Sequence, residues 1–137
     1  MSPDELLRRL AQTLKQEIAP AVAEAYPKTQ AYMASVVLEK LSRQLALADA
    51  HAAAGRADVA ALARDLRALL GGSPLPAALG RTLAGLSGAP DKHGLNALVA
   101  ALYDARDELD AEVFGQSLAR IRQTLRLGLD RELVYAA

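Results

Sequence analysis

Leu6, Leu7, Leu10, Leu14 and Ile18 recur at steps of three and four, with Arg9, Gln12 and Gln16 set against them. That spacing lays one apolar stripe along a helix. Ser2, Pro3 and Glu5 stand where a cap, a first helical residue and the acid of a capping box belong. Pro20 and Pro27 bracket Ala21 to Tyr26, so the helix is expected to kink or end there. A longer helix is predicted from about Thr29 to Ala54, with Gly55 as its stop. Its Ala34, Leu38, Leu41, Leu45, Ala48 and Ala52 keep the four-three step of a bundle seam. At about 100° per residue, Met33, Val36 and Leu47 fall well off that seam, bordered by Lys40 and Gln44 and with His51 on the same side. A helix apolar on two sides is either central in its bundle or has a second partner. Met33, Val36, Leu47 and the neighbouring Tyr32 are therefore candidate interface residues, with core packing as the alternative.

A third helix is predicted from about Ala57 to Leu70, with Val59, Leu62, Ala63, Leu66, Leu69 and Leu70 inward and Gly71-Gly72 ending it. From residue 71 to residue 90 the chain gathers five of its nine glycines and three of its six prolines. Leu75, Leu79, Leu83 and Leu86 still recur at helical spacing, so a short, poorly specified helix is expected, and with it a flexible lid or docking segment. Asp91 can cap a helix carrying Leu95, Leu98, Val99, Leu102 and Leu109. The last helix carries Phe114, Leu118, Ile121, Leu125 and Leu129, with acids from Asp107 to Glu112 at its start and Arg120, Arg122 and Arg126 beyond. No repeat and no long alternating segment occurs. The expected fold is all-α: one domain over residues 1–137, a bundle of about five helices, partly up-and-down, with the Gly/Pro-rich segment before the last two.

Composition strengthens the helical reading. Alanine and leucine supply 30 and 25 of the 137 residues while aromatics are 4%, and strands favour β-branched and aromatic residues instead. Sixteen basic residues balance sixteen acidic ones, which leaves little long-range pull on phosphate and argues against nucleic acid. With no cysteine there is no disulfide, thiolate metal site or cysteine nucleophile. The first nine residues lack an apolar signal core. The longest apolar run, Ala97 to Tyr103, is far shorter than the roughly 20 residues of a membrane helix. A cytoplasmic protein is expected, with no membrane partner.

Candidate chemistry is sparse. Neither His51 nor His93 has a glutamate three residues earlier, as a carboxylate-bridged bundle site requires. Asp104, Asp107, Glu108 and Glu112 offer carboxylate pairs, yet Arg106 lies among them and the stretch reads as a solvated turn; only convergence of Asp104 and Asp107 with His93 would suggest a cleft. No serine sits in a Gly-x-Ser-x-Gly elbow, and Ser73 after Gly71-Gly72 reads as a turn residue. Gly80-Arg81-Thr82 lacks the first glycine and the lysine of a phosphate loop. No catalytic residue, metal ligand or cofactor site is expected.

Several positions, taken in order, resemble a known family: Leu6-Leu7, Leu10, Leu14, Ile18 and Pro20; Tyr32-Met33-Ala34, Leu38, Leu41 and Arg43-Gln44-Leu45; Leu62, Leu66 and Leu69-Leu70-Gly71; Leu95-Asn96-Ala97-Leu98; and Tyr135. The family comprises small all-helical bacterial proteins of unknown function, encoded beside or fused to aminoglycoside-phosphotransferase-like kinases and acyl-CoA dehydrogenases. Gln44 stands where the family more usually has an acid, and Ala50 to Ala54 is an extended stretch. The resemblance carries over no catalytic residue. It implies a partner, with the chain as an accessory domain of a kinase-like or acyl-CoA dehydrogenase-like enzyme.

The function expected from the sequence is thus a non-catalytic helical interaction module, self-associating as a homo-oligomer or docking on a larger metabolic enzyme. The alternative is a helical protein that binds a small apolar ligand of acyl type, with Leu75 to Leu86 closing over it.

Overall fold

A computed structural model describes residues 1–72 and 74–136, the side chains of Lys92, Tyr135 and Ala136 excepted; Ser73 and the Tyr135 side chain, both singled out from the sequence, lie outside the described set. The fold is all-α, with no strand among the described residues. Helix α1 runs Pro3–Thr13, widens into a π turn over Leu14–Ile18 and closes with one turn at Ala19–Ala21. Four further helices follow: α2 at Ala25–Leu70, α3 at Ala77–Gly88, α4 at Lys92–Asp104 and α5 at Ala111–Ala136. Two compact units divide the chain, Met1–His51 with Glu132–Ala137 in one and Ala52–Arg131 in the other.

In the first unit the kink expected at Pro20 takes a specific form. Proline has no N–H for the carbonyl four residues back and its ring crowds that carbonyl. The backbone answers one turn earlier by wider pairing, the Ala19 N–H donating to the Leu14 carbonyl five residues back. Val22 is then extended and α2 begins three residues later. Pro27 lies in the first turn of α2, where a missing N–H leaves no carbonyl unpaired, so α2 starts earlier than Thr29. Ser2 holds the extended cap conformation with Pro3 behind it, but its hydroxyl caps no backbone N–H. The expected capping box does not form: Glu5 pairs with Arg9 at 3.0 Å instead.

Gly55 does not stop α2. It sits inside a helix of 46 residues, and no described glycine has a positive φ. One interior glycine costs a helix about 1 kcal/mol relative to alanine, and the alanines at 50, 52, 53, 54 and 57 around it favour continuation.

The second unit holds the core. Leu62, Leu66 and Leu70 of α2, Leu79, Leu83 and Leu86 of α3, Leu95, Leu98 and Leu102 of α4 and Ile121 of α5 are all buried together. Helix α4 is capped as expected, Asp91 Oδ1 accepting from the Gly94 N–H at 2.7 Å. It ends at Asp104, however, and a 3-10 turn over Arg106–Glu108 follows, so Leu109 packs from an extended residue rather than from the helix. Asp110 opens α5 by accepting from the Glu112 and Val113 N–H groups. The α4–α5 corner is closed by Phe114, edge-on to Tyr103 at 5.5 Å and beneath the Arg106 guanidinium at 5.6 Å. Asp58 and Asp65 of α2 pair with Arg131 and Arg120 of α5. The earlier aspartate takes the later arginine, which makes these stretches antiparallel.

Candidate functional site

The N-terminal unit is built on small residues. Its buried side chains, among the described residues, are Ala11 and Ala19 of α1 and Ser35 and Ser42 of α2. The Ser42 hydroxyl donates to the Asp4 carbonyl at 2.8 Å. Ala23, in the connection between the helices, lies midway between those two residues, so α1 and this part of α2 form an antiparallel hairpin. Seven residues onward from Asp4 is Ala11, and seven back from Ser42 is Ser35, which places the next pair of small residues level in the seam. Small side chains bring the helix backbones close and leave the large ones outside the seam.

Those large side chains are leucines, and they share one side. Leu10 immediately precedes Ala11 and Leu41 immediately precedes Ser42. In an antiparallel pair, equal angular offsets from the two seam lines fall on the same side. At about 100° per residue, Leu6 lies about 140° behind the Ala11 line and Leu45 about 60° behind the Ser42 line, in the same sense. Leu7, Leu14 and Leu38 share that sense closer to the seam and are half-buried. Leu6, Leu10, Leu41 and Leu45 remain 43–51% exposed. The sequence pattern assigns these leucines to buried seams; the hairpin instead leaves them as an open leucine face, because alanine and serine occupy the seam.

Three of the four sequence-predicted interface residues lie elsewhere on α2. Met33 is 57% exposed, and Val36 and Tyr32 are also exposed, while Leu47 is half-buried. Tyr32, Val36 and Leu47 lie about 120–180° around the helix from Leu41 and Leu45, whereas Met33, two four-residue steps before Leu41 with the exposed Val37 between, continues the leucine ridge. The Tyr32 carbonyl accepts from the Ser35 hydroxyl at 2.7 Å.

The proposed lid takes a different role. Leu79, Leu83 and Leu86 are core residues of a regular helix, with Leu75 packed against the same cluster. Interior glycines at 80 and 85 do not interrupt α3, because its leucine stripe is buried along its whole length. A lid motion would have to bring three fully packed leucines into water, so burial of this segment counts against that role. The last helix departs from its predicted seam as well. Ser117, Ile121 and Thr124 are buried, while Leu125 and Leu129 are half in water.

A cleft of about 120 Å³ lies among Leu69, Leu70, Gly72, Glu108, Leu109, Asp110 and Val113. It is smaller than the roughly 300–1,000 Å³ of ligand pockets, and the Asp110 carboxylate at its edge is already engaged in capping α5. Among the described residues no three histidine, aspartate or glutamate side chains converge as a metal site would need, so His93, Asp104 and Asp107 form no such group. Arg120 of the basic group is held by Asp65 at 2.7 Å and by Thr124 at 2.7 Å. No described helix is long and apolar enough to cross a membrane. No protein-family model matches the chain, and no curated protein or solved structure matches it significantly.

Proposed function

We propose that this chain is a non-catalytic helical interaction module and that the leucine face of the α1–α2 hairpin is its docking surface. One observation carries the reading: the N-terminal unit buries alanine and serine while Leu6, Leu10, Leu41 and Leu45 stay about half exposed on one side. Isolated exposed leucines are ordinary, but an aligned set on one face marks an interaction surface. Completing the burial of one such side chain is worth roughly 1 kcal/mol, about half the 1.5–3 kcal/mol of a full burial. The partner is a helical surface that supplies leucine-like residues to the same layer.

The test is capture from the host with two differently tagged copies of the chain, comparing wild type with a Leu10→Glu/Leu41→Glu double variant and with Val36→Glu. A stoichiometric companion, whether the second copy or a larger enzyme of the kinase-like or acyl-CoA dehydrogenase-like kind, is expected with wild type and with Val36→Glu. The leucine-face variant is expected to lose it. Identical companions for all three chains would overturn the reading.

A further inference from the structure

We infer that the occupant of the leucine face is a second copy of this chain, joined about a two-fold axis so that two α1–α2 hairpins form a four-helix bundle; this rests on the docking reading above and names its partner. The open side of the hairpin presents half of a bundle core. Leu6 and Leu10 on one helix and Leu41 and Leu45 on the other supply outer positions for it, and a two-fold copy supplies the same positions in return. The face is about 24 Å long from Pro3 to Ile18 and about 20 Å across two helices, so two copies bury roughly 1,000 Å² in all. That reaches the about 1,000 Å² a specific association requires and falls short of the roughly 1,600 Å² of a standard interface, so the dimer is concentration-dependent. Charge does not oppose it. The chain has sixteen positive and sixteen negative residues, so copies meet without net repulsion. The Glu5 and Arg9 charges at the edge of the hairpin are already paired with each other.

Sedimentation velocity across micromolar concentrations tests the assignment. The mass is expected to rise from 14.5 kDa toward twice that value. Val36→Glu, on the other side of α2, should follow wild type, and Leu10→Glu and Leu41→Glu should stay at the monomer mass with unchanged helical content. A Gln44→Cys variant, at the exposed rim beside Leu41, gives a second reading that does not depend on a charged substitution, since the chain has no other cysteine. Its spin label should show a short inter-label distance that disappears on mixing with excess unlabelled chain. A monomer at every concentration, or leucine variants that dimerise as wild type does, would overturn the inference. If the chain is monomeric while another protein is still captured through Leu10 and Leu41, the dimer alone fails. If neither association depends on those leucines, the docking reading fails with it.

Discussion

The Ser42 hydroxyl reaches across the hairpin to the Asp4 carbonyl at 2.8 Å. The contact sets Asp4 of α1 level with Ser42 of α2. That carbonyl belongs to the first turn of α1, and Ser42 is nearly fully buried. Ser42→Ala removes the bond but leaves room, and is expected to cost about 1 kcal/mol in urea unfolding. Ser42→Leu keeps no hydroxyl and forces a branched side chain into a seam made for small ones. It is expected to cost about 1–3 kcal/mol. If Ser42→Leu is no worse than Ser42→Ala, the close approach of the two helices is not what Ser42 serves.

Much of the architecture was legible in the sequence because leucine spacing reports helices directly. The core stripes of Leu62, Leu66 and Leu70 and of Leu95, Leu98 and Leu102, the Asp91 cap and the Gly71-Gly72 stop all match the structure. Periodicity cannot say which stripe will be covered, and there it fails. In α1 and the first half of α2 the leucines and the small residues each repeat at helical spacing, and the small ones win the seam because they permit the closest backbone approach. The same choice recurs in α5, where Ser117 and Thr124 are inside and Leu125 and Leu129 are not. Gly55 misled for another reason, since a weak local penalty yields to alanine-rich flanks.

If α3 is a structural helix rather than a lid, its leucines should behave as core. Leu79 and Leu86 are fully buried in the main cluster. Leu79→Ala and Leu86→Ala are each expected to cost about 2–5 kcal/mol through lost burial and the cavity left behind. The α3 amides should exchange with solvent as slowly as those of α4. Fast exchange confined to Ala77–Gly88 would restore the lid.

Ser117 is fully buried in α5, and its hydroxyl has no hydrogen-bond partner. An unpaired buried hydroxyl costs about 1–3 kcal/mol, while alanine fills nearly the same space and is the best helix former. Ser117→Ala is therefore expected to leave stability unchanged or raise it, as read by thermal melting. A loss of more than about 1 kcal/mol would mean that the hydroxyl has a bonding role.

The Ser2 hydroxyl, hydrogen-bonded to the Asp4 side chain, holds that carboxyl below the usual carboxylate range, with the Asp4 and Glu5 backbone N–H groups and Arg8 adding to the effect and partial desolvation opposing it. Because the folded pKa is the lower one, the contribution to stability is present above the unfolded pKa and fades as pH falls through the folded value. Ser2→Ala should move the Asp4 carboxyl titration, followed by NMR, toward higher pH. The stability difference between the two chains should be greatest at neutral pH and vanish in acid. An unmoved Asp4 titration would assign the shift to the helix terminus alone.

Two glycines, Gly55 inside α2 and Gly71 just past its end, should respond to alanine in opposite directions. A Cβ at Gly55 would meet no atom within 4 Å, and its backbone is helical. Gly55→Ala is therefore expected to stabilise the chain by about 0.5–1 kcal/mol, through helix propensity and a less flexible unfolded chain. At Gly71 a Cβ would lie 2.7 Å from the Arg67 carbonyl oxygen, a backbone atom at the end of the helix. The last turn must open to admit it, so Gly71→Ala is expected to cost about 1–3 kcal/mol. Gly72, whose Cβ would meet nothing within 4 Å, serves as the control one residue away. Urea unfolding of the three variants separates the cases. A stabilising Gly71→Ala would show that the helix end can open there at little cost, and a destabilising Gly55→Ala would mean that helix propensity does not govern that position.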